Sequence, residues 1–377
     1  MKARVAFGCA LTLCLAACGK KDPFDDPGYA AACHGPPLAV EDRQKAMEQG
    51  YTINSRYHCI EKSSWDEVQK ANALVASMVA QAERETKEEQ SRPPQSLADA
   101  RVGFHTVVSA PANGTPLPKP PPALFVRADY TGGEGRELAA FVSPDPRDGQ
   151  KHAAIVWITG GDSSTLDDFW TEGAPAHDET ASAFRKAGVI MMFPTLRGGN
   201  TDEGKHEYFF GEVDDVHAAA NRLAKLPYVD PARIYLGGHS TGGTLAVLAA
   251  ETGGRFAAVF AFGPVGDVGG YSASMFAIDL AGLDEREREL RSPKHWLRAV
   301  TTPTYLIEGT ESPSNIEQVK DLCPGPKVEE IHCIYVRGFD HFGVIDAVGR
   351  VLAPRLAAAE PRDGPWLQPA EFDPAPR

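Results

Sequence analysis

Residues 233–251 read RIYLGGHSTGGTLAVLAAE. An apolar run of strand character ends at Gly237-Gly238, and an apolar run of helical character begins after Gly242-Gly243. The string Gly238-His239-Ser240-Thr241-Gly242 therefore falls in the turn between a strand and a helix. A serine on such a turn projects its hydroxyl above the sheet, while the flanking glycines remove side chains that would collide there. The first free N–H of the new helix, that of Thr241, points to where negative charge would grow on a substrate oxygen. Ser240 is thus the expected nucleophile and Thr241 an expected oxyanion donor. His239, directly before the serine, is expected to point away from it and to pack.

Around this turn lie short apolar runs separated by helix-compatible stretches: AAIVWIT (153–159), GVIMMFP (188–194), AAVFAFG (257–263), TPTYLIEG (302–309) and EIHCIYV (330–336). Runs of this kind predict a mostly parallel, doubly wound α/β sheet covered on both faces. Upstream, ALFVRADY (123–130) and ELAAFVSP (137–144) flank TGGEG and read as an antiparallel hairpin. The stretch 269–296 between two core runs reads as a small helical cap.

A doubly wound sheet binds ligands at the carboxyl ends of its strands, so the residues just after each run are the candidates for chemistry. His341, in RGFDHFG (337–343) after the last run, has the place and chain order of a general base for Ser240. The acid that orients it is expected from the loop after an earlier strand. Glu311 is the first choice, with Asp267 the main alternative and Glu308 also open. Asp340 is too close in sequence to His341 to serve, and His332 falls inside a strand run. Gly160 and Gly161, after the first parallel run, are expected to bring a second oxyanion donor near the substrate. Arg197 either binds a substrate carboxylate or braces its loop.

Residues 211–243, GEVDDVHAAANRLAKLPYVDPARIYLGGHSTGG, resemble the catalytic domain of the prolyl oligopeptidase family, as do Arg197-Gly198 upstream and Asp340-His341-Phe342 downstream. The resemblance spans about residues 123–355. It implies an α/β-hydrolase fold, with Ser240 as nucleophile and His341 as base, acting on a peptide or ester acyl bond through an acyl-enzyme. Two departures stand out. Only about one hundred residues precede the core, too few for the β-propeller of the family's peptidases, and Thr159 stands where many members carry a tyrosine that helps bind the oxyanion. A carboxylesterase acting on small acyl substrates, and a surface protein that keeps the fold without catalysis, remain open alternatives.

The 377 residues carry a formal net charge of −13, and no basic cluster is interleaved with aromatics, so no nucleic-acid partner is expected. No metal or organic cofactor is expected either. Residues 1–18 read as a signal segment: Lys2 and Arg4, then an apolar run ending in Leu15-Ala16-Ala17-Cys18. That ending resembles the lipobox of bacterial lipoproteins, which implies lipidation at Cys18, export to the periplasm or cell surface, and a membrane anchor, with Gly19 favouring the outer membrane. Four further cysteines then remain of seven, predicting the disulfides Cys33–Cys59 and Cys323–Cys333 by proximity. The expected organisation is a signal at 1–18, a tether, cysteine segment and long helix at 19–95, a catalytic domain at 96–360 and a tail at 361–377.

Overall fold

The computed structural model describes residues 95–372, apart from 203, 272–275, 277, 324–327 and 359–363, together with scattered stretches between 51 and 84. The chain divides into two compact units, residues 1–93 and 94–377. In the first unit, β1 (Tyr51–Ile53) pairs antiparallel with β2 (Cys59–Glu61), and residues 76–81 are helical. Cys18 and Cys33 lie outside the described residues.

The second unit opens with a short helix, α1 (Leu97–Arg101), capped by the Ser96 hydroxyl accepting from the Asp99 N–H. The strands follow as β3 (Ala110–Pro111), β4 (Val126–Arg127), β5 (Tyr130–Thr131), β6 (Glu137–Leu138), β7 (Ala140–Val142) and β8 (His152–Ile158). Next come α2 (Ser182–Lys186), β9 (Ile190–Pro194), β10 (Lys205–His206), α3 (Glu212–Leu223), β11 (Val229–His239) and α4 (Thr241–Glu251). The chain closes with β12 (Val259–Phe262), α5 (Glu285–Glu289), β13 (Thr304–Gly309), α6 (Ile316–Leu322), β14 (Ile331–Val336) and α7 (Gly343–Ala357).

Eight strands form one sheet in the order β14-β13-β12-β11-β8-β9-β7-β4. From β9 to β14 every pairing is parallel, and β7 and β4 add the antiparallel edge. The alternation of side chains along each strand feeds two apolar layers. On β11, Ile234 and Leu236 enter the layer beneath α3 and α4, while Tyr235 enters the layer shared with α2 and α7. Because both faces are covered, the strands are apolar throughout rather than alternating. The segment 364–372, expected as a tail, is seated on this second layer: Leu367 and Phe372 are buried, and the Trp366 N–H donates to the Tyr305 hydroxyl at 2.7 Å. Cys323, just after α6, and Cys333, on β14, are joined by a disulfide.

Arg197 follows β9 and is almost fully buried. Its Nε and Nη2 donate to the two oxygens of Asp215 on α3 at 2.9 and 3.1 Å, and its Nη1 lies 3.0 Å from Glu207. Asp215 also accepts from the Arg197 and Gly133 backbone N–H groups, so one carboxylate ties the loop after β9, the β5–β6 hairpin and α3 together. Burial works against the guanidinium charge, but these carboxylates hold its pKa above the ordinary arginine value. Of the two roles expected for Arg197, the structure corrects the substrate-binding one, because a side chain sealed inside the fold with its donors already occupied cannot meet a ligand. Asp215→Ala leaves that guanidinium buried and unpaired, so it is expected to cost about 3–5 kcal/mol of stability. Denaturant unfolding checks this, and a loss below about 1 kcal/mol would show that the pair does not brace the loop.

Candidate active site

The turn after β11 is strained. Ser240 has φ 56° and ψ −115°, which a residue with a side chain adopts only when its surroundings impose it. Those surroundings are two strand ends and a helix. The Ser240 N–H donates to the Phe262 carbonyl of β12 at 2.7 Å, and its carbonyl accepts from Thr244 in the first turn of α4. Gly242 packs so tightly on β8 that an added Cβ would stand 2.3 Å from the Ile158 carbonyl oxygen. Thr241 is the first residue of α4, and Gly160 and Gly161 line the same cavity as Ser240.

That cavity, about 560 Å³, is also lined by His341. The His341 ring is held from its far side: Nδ1 lies 2.8 Å from Oε2 of Glu308, a carboxylate with no exposed surface. The other Glu308 contacts come from backbone N–H groups, Gly309 to Oε1 at 2.7 Å and Asn315 to Oε2 at 3.2 Å. Gly263, at φ 61° after β12, leaves the space the imidazole fills, since a Cβ there would stand 2.3 Å from the ring. The His341 N–H donates to the Pro313 carbonyl at 2.8 Å. With Nδ1–H directed at a carboxylate, Nε2 is the nitrogen left to accept a proton. Among the described residues no hydrogen bond joins this ring to the Ser240 hydroxyl, a contact that commonly tightens only when substrate enters.

The expected acids are therefore corrected. Glu311 is exposed on the turn after β13, and its side chain accepts from the neighbouring Thr310 hydroxyl at 3.1 Å. Asp267 caps a short helical turn by accepting from the Gly269 N–H, and it pairs with Lys294 at 2.5 Å. Neither meets His341. Glu308 is three residues earlier than Glu311, on the strand itself. Its signal in the sequence was an ionisable residue closing an otherwise apolar run just before a glycine. Asp340 accepts from the Phe342 and Gly343 N–H groups and so caps the start of α7. His332 stacks on Tyr305, with ring centroids 4.6 Å apart.

His239 is also corrected, for it does not turn away from the site. It lines the cavity, its ring centroid lies 4.4 Å from that of His341, and its Nε2 is 2.9 Å from the His341 carbonyl oxygen. A carbonyl can only accept, so Nε2 carries the proton and Nδ1 is a bare acceptor. Burial, and secondarily the charge of His341, lower its pKa to about 3, so the ring is neutral. Thr159, in the place of the oxyanion tyrosine, keeps its hydroxyl buried and, among the described residues, without a hydrogen-bond partner. Also among the described residues, no group of three or more His, Cys, Asp or Glu side chains is placed to hold a metal ion.

A mostly parallel sheet with a serine on a strained strand-to-helix turn and a histidine after the last strand is an α/β-hydrolase fold. Within that class, residues 175–311 match the prolyl oligopeptidase family, a span that contains Ser240 and Glu308 and ends before His341. The chain is 26% identical over 159 residues to an uncharacterized peptidase, YtmA, of Bacillus subtilis (strain 168), covering 40% of this chain and 62% of that one. Among solved structures it is similar to a puromycin-hydrolyzing peptidase of Mycobacterium tuberculosis, with a TM-score of 0.51 and 19% identity over 63% of this chain and 40% of that one. The chain thus spans less than two thirds of the length of either protein.

The neutral His239 has a consequence for stability. In the unfolded chain its pKa is near the ordinary value of about 6.5, whereas the folded ring takes up a proton only near pH 3. Between these values the unfolded state binds the extra proton, so stability falls as pH drops from about 6.5 toward 3. A His239→Gln variant is expected to show a shallower loss over that window in denaturant titrations at stepped pH. An equal slope would place the acid sensitivity elsewhere.

Proposed function

We propose that this chain is a serine hydrolase that cleaves a peptide or ester acyl bond through an acyl-enzyme intermediate. The observation that carries the reading is the Glu308–His341 contact at 2.8 Å on the wall of the cavity that also holds the strained Ser240 turn. In this reading the Ser240 hydroxyl attacks the acyl carbon while its proton passes to His341 Nε2. The N–H of Thr241 and one from the Gly160-Gly161 turn take the developing oxyanion. The His341 proton then goes to the leaving group, and a water deprotonated by the same nitrogen releases the acyl group and restores the serine. Glu308 keeps the proton on Nδ1 and stabilises the imidazolium.

A peptide substrate is favoured by the family match over 175–311, and a small ester, cleaved by the same acyl chemistry, is the second reading. The buried Glu308 held against His341 counts against the alternative of a non-catalytic surface protein. We further propose export and anchoring through lipid at Cys18. The Cys323–Cys333 disulfide supports an oxidising compartment.

A fluorophosphonate probe is expected to label the wild type and not Ser240→Ala; an unlabelled wild type would sink the hydrolase reading. Glu308→Gln is expected to lower kcat roughly 10³- to 10⁴-fold, as loss of the orienting acid does in such triads. Glu311→Gln should stay within about twofold. If instead Glu311→Gln shows the larger loss, the acid is misassigned. For the anchor, Cys18→Ser should move the protein from the membrane fraction to the soluble one, and retention there would count against lipidation.

A further inference from the structure

We infer that Asn200 is a positioning residue for the oxyanion donors: its side-chain amide seats the loop that carries Gly160 and Gly161, and so acts on the reaction without touching the substrate. The inference rests on the serine hydrolase reading above and adds the residue that holds one half of its charge-stabilising machinery.

The donors expected for the oxyanion are held in different ways. Thr241 belongs to α4 and is placed by the nucleophile turn itself. Gly160 and Gly161 belong to the loop after β8, residues 159–168, which contains no helix or strand. Gly161, at φ 74°, turns the chain away from the sheet. Asp162 then closes the next turn on itself, its Oδ1 accepting from the Ser164 and Thr165 N–H groups at 3.0 and 2.7 Å. Those bonds stiffen the loop but do not fix it against the sheet.

The fixing comes from the loop after β9. The Leu196 N–H donates to the Ser164 carbonyl at 3.0 Å, and Gly199 packs against the same oxygen too closely to admit a Cβ. Asn200 completes the mount. Its Oδ1 accepts from the Leu166 N–H and its Nδ2 donates to the Leu166 carbonyl, both at 2.9 Å. One amide thus satisfies both polar backbone groups of Leu166, as a neighbouring strand would. The Asn200 backbone N–H adds a contact of 3.5 Å to the Thr165 hydroxyl oxygen.

The position suits an asparagine, and its surroundings make it rigid. The residue has no exposed surface, so water does not compete for these bonds. Its φ of 49° lies in the left-handed region, which asparagine tolerates better than most side chains. It stands three residues after Arg197, whose buried pairing with Asp215 ties this loop to α3. A carboxylate could not replace the amide, since it lacks the donor that the Leu166 carbonyl takes. Asn113 also reaches the loop, at 3.2 Å from Asp162 Oδ2, but it is exposed and its bond exchanges with water.

The oxyanion exists in the transition state and not in the bound substrate, so a displaced donor slows the chemical step while leaving binding nearly unchanged. One such donor is worth roughly 10²- to 10³-fold in rate, and a loop without its seat forfeits part of that.

The test follows fluorophosphonate labelling of the full-length wild type, Asn200→Gly and Asn200→Asp across a pH series, with thermal melts to show which variants are folded. Asn200→Gly keeps the left-handed turn and deletes the amide; Asn200→Asp keeps the shape and deletes a donor. The phosphoryl oxygen of the probe takes the oxyanion's place. In Asn200→Gly the maximal labelling rate is expected to fall at least roughly tenfold with half-saturation within about threefold, and Asn200→Asp should change in the same direction. The midpoint of the pH profile, which reports the base His341, should stay that of the wild type. An unchanged maximal rate, a midpoint that moves with it, or loss of the fold in both variants overturns the positioning role, while wild-type labelling keeps the hydrolase reading intact. Absence of wild-type labelling overturns both.

Discussion

A carboxylate with no exposed surface cannot sit at the end of a parallel strand unless something inside the protein answers its charge. Glu308 has that place on β13, and what answers it are two backbone N–H groups and the ring of His341. Each partner comes from a different part of the chain: the strand end itself, the start of α6, and the loop between β14 and α7. The carboxylate therefore fixes how those elements approach one another, and in doing so fixes the orientation of the imidazole. Asn315 adds a second tie, donating through its side chain to the Gly263 carbonyl at 2.9 Å, so the loops after β12 and β13 are held together beneath the ring.

The serine's geometry has a separate origin. A left-handed φ at a residue with a side chain costs on the order of 1–3 kcal/mol, and the fold must supply it from neighbouring contacts. Here the supply is the hydrogen bond to Phe262 and the close packing of Gly242 on the end of β8. Strain of this kind is local and cannot be relieved without separating α4 from the sheet, which would expose the apolar layer formed by Leu245, Val247 and Leu248.

Those two origins explain what the sequence made legible. The strands, their parallel pairing and the Ser240 turn were readable because each is signalled within a few residues: an apolar run, a glycine, a change of period. His341 was readable from chain order. The acid was not, because a carboxylate on a strand and one on the following turn differ only in whether the three-dimensional neighbourhood desolvates them. Glu311 had the better local credentials as a turn residue, whereas Glu308 had the partners. Arg197 stayed open between its two roles for the same reason: an arginine beside a glycine-rich loop at the mouth of the sheet has the sequence appearance of a ligand-binding residue, and it is the ion pairs with Glu207 and with the distant Asp215 on α3 that turn it inward. His239 escaped because the alternation rule that places a residue before the nucleophile on the opposite side fails at a residue whose follower is left-handed.

The pairing of two histidines in one site raises the question of which ring carries the proton during reaction, and the structure decides it by solvation and by bonding. His341 has a buried anion on Nδ1, so adding a proton at Nε2 creates an ion pair. His239 has only a carbonyl on Nε2, and its Nδ1 is sealed from water with a carboxylate no nearer than 3.8 Å. Protonating it would bury a charge 4.4 Å, ring to ring, from the other imidazole. Burial and mutual repulsion thus both keep His239 neutral, and that neutrality is what lets its Nε2–H hold the His341 backbone without competing for the proton that His341 must accept.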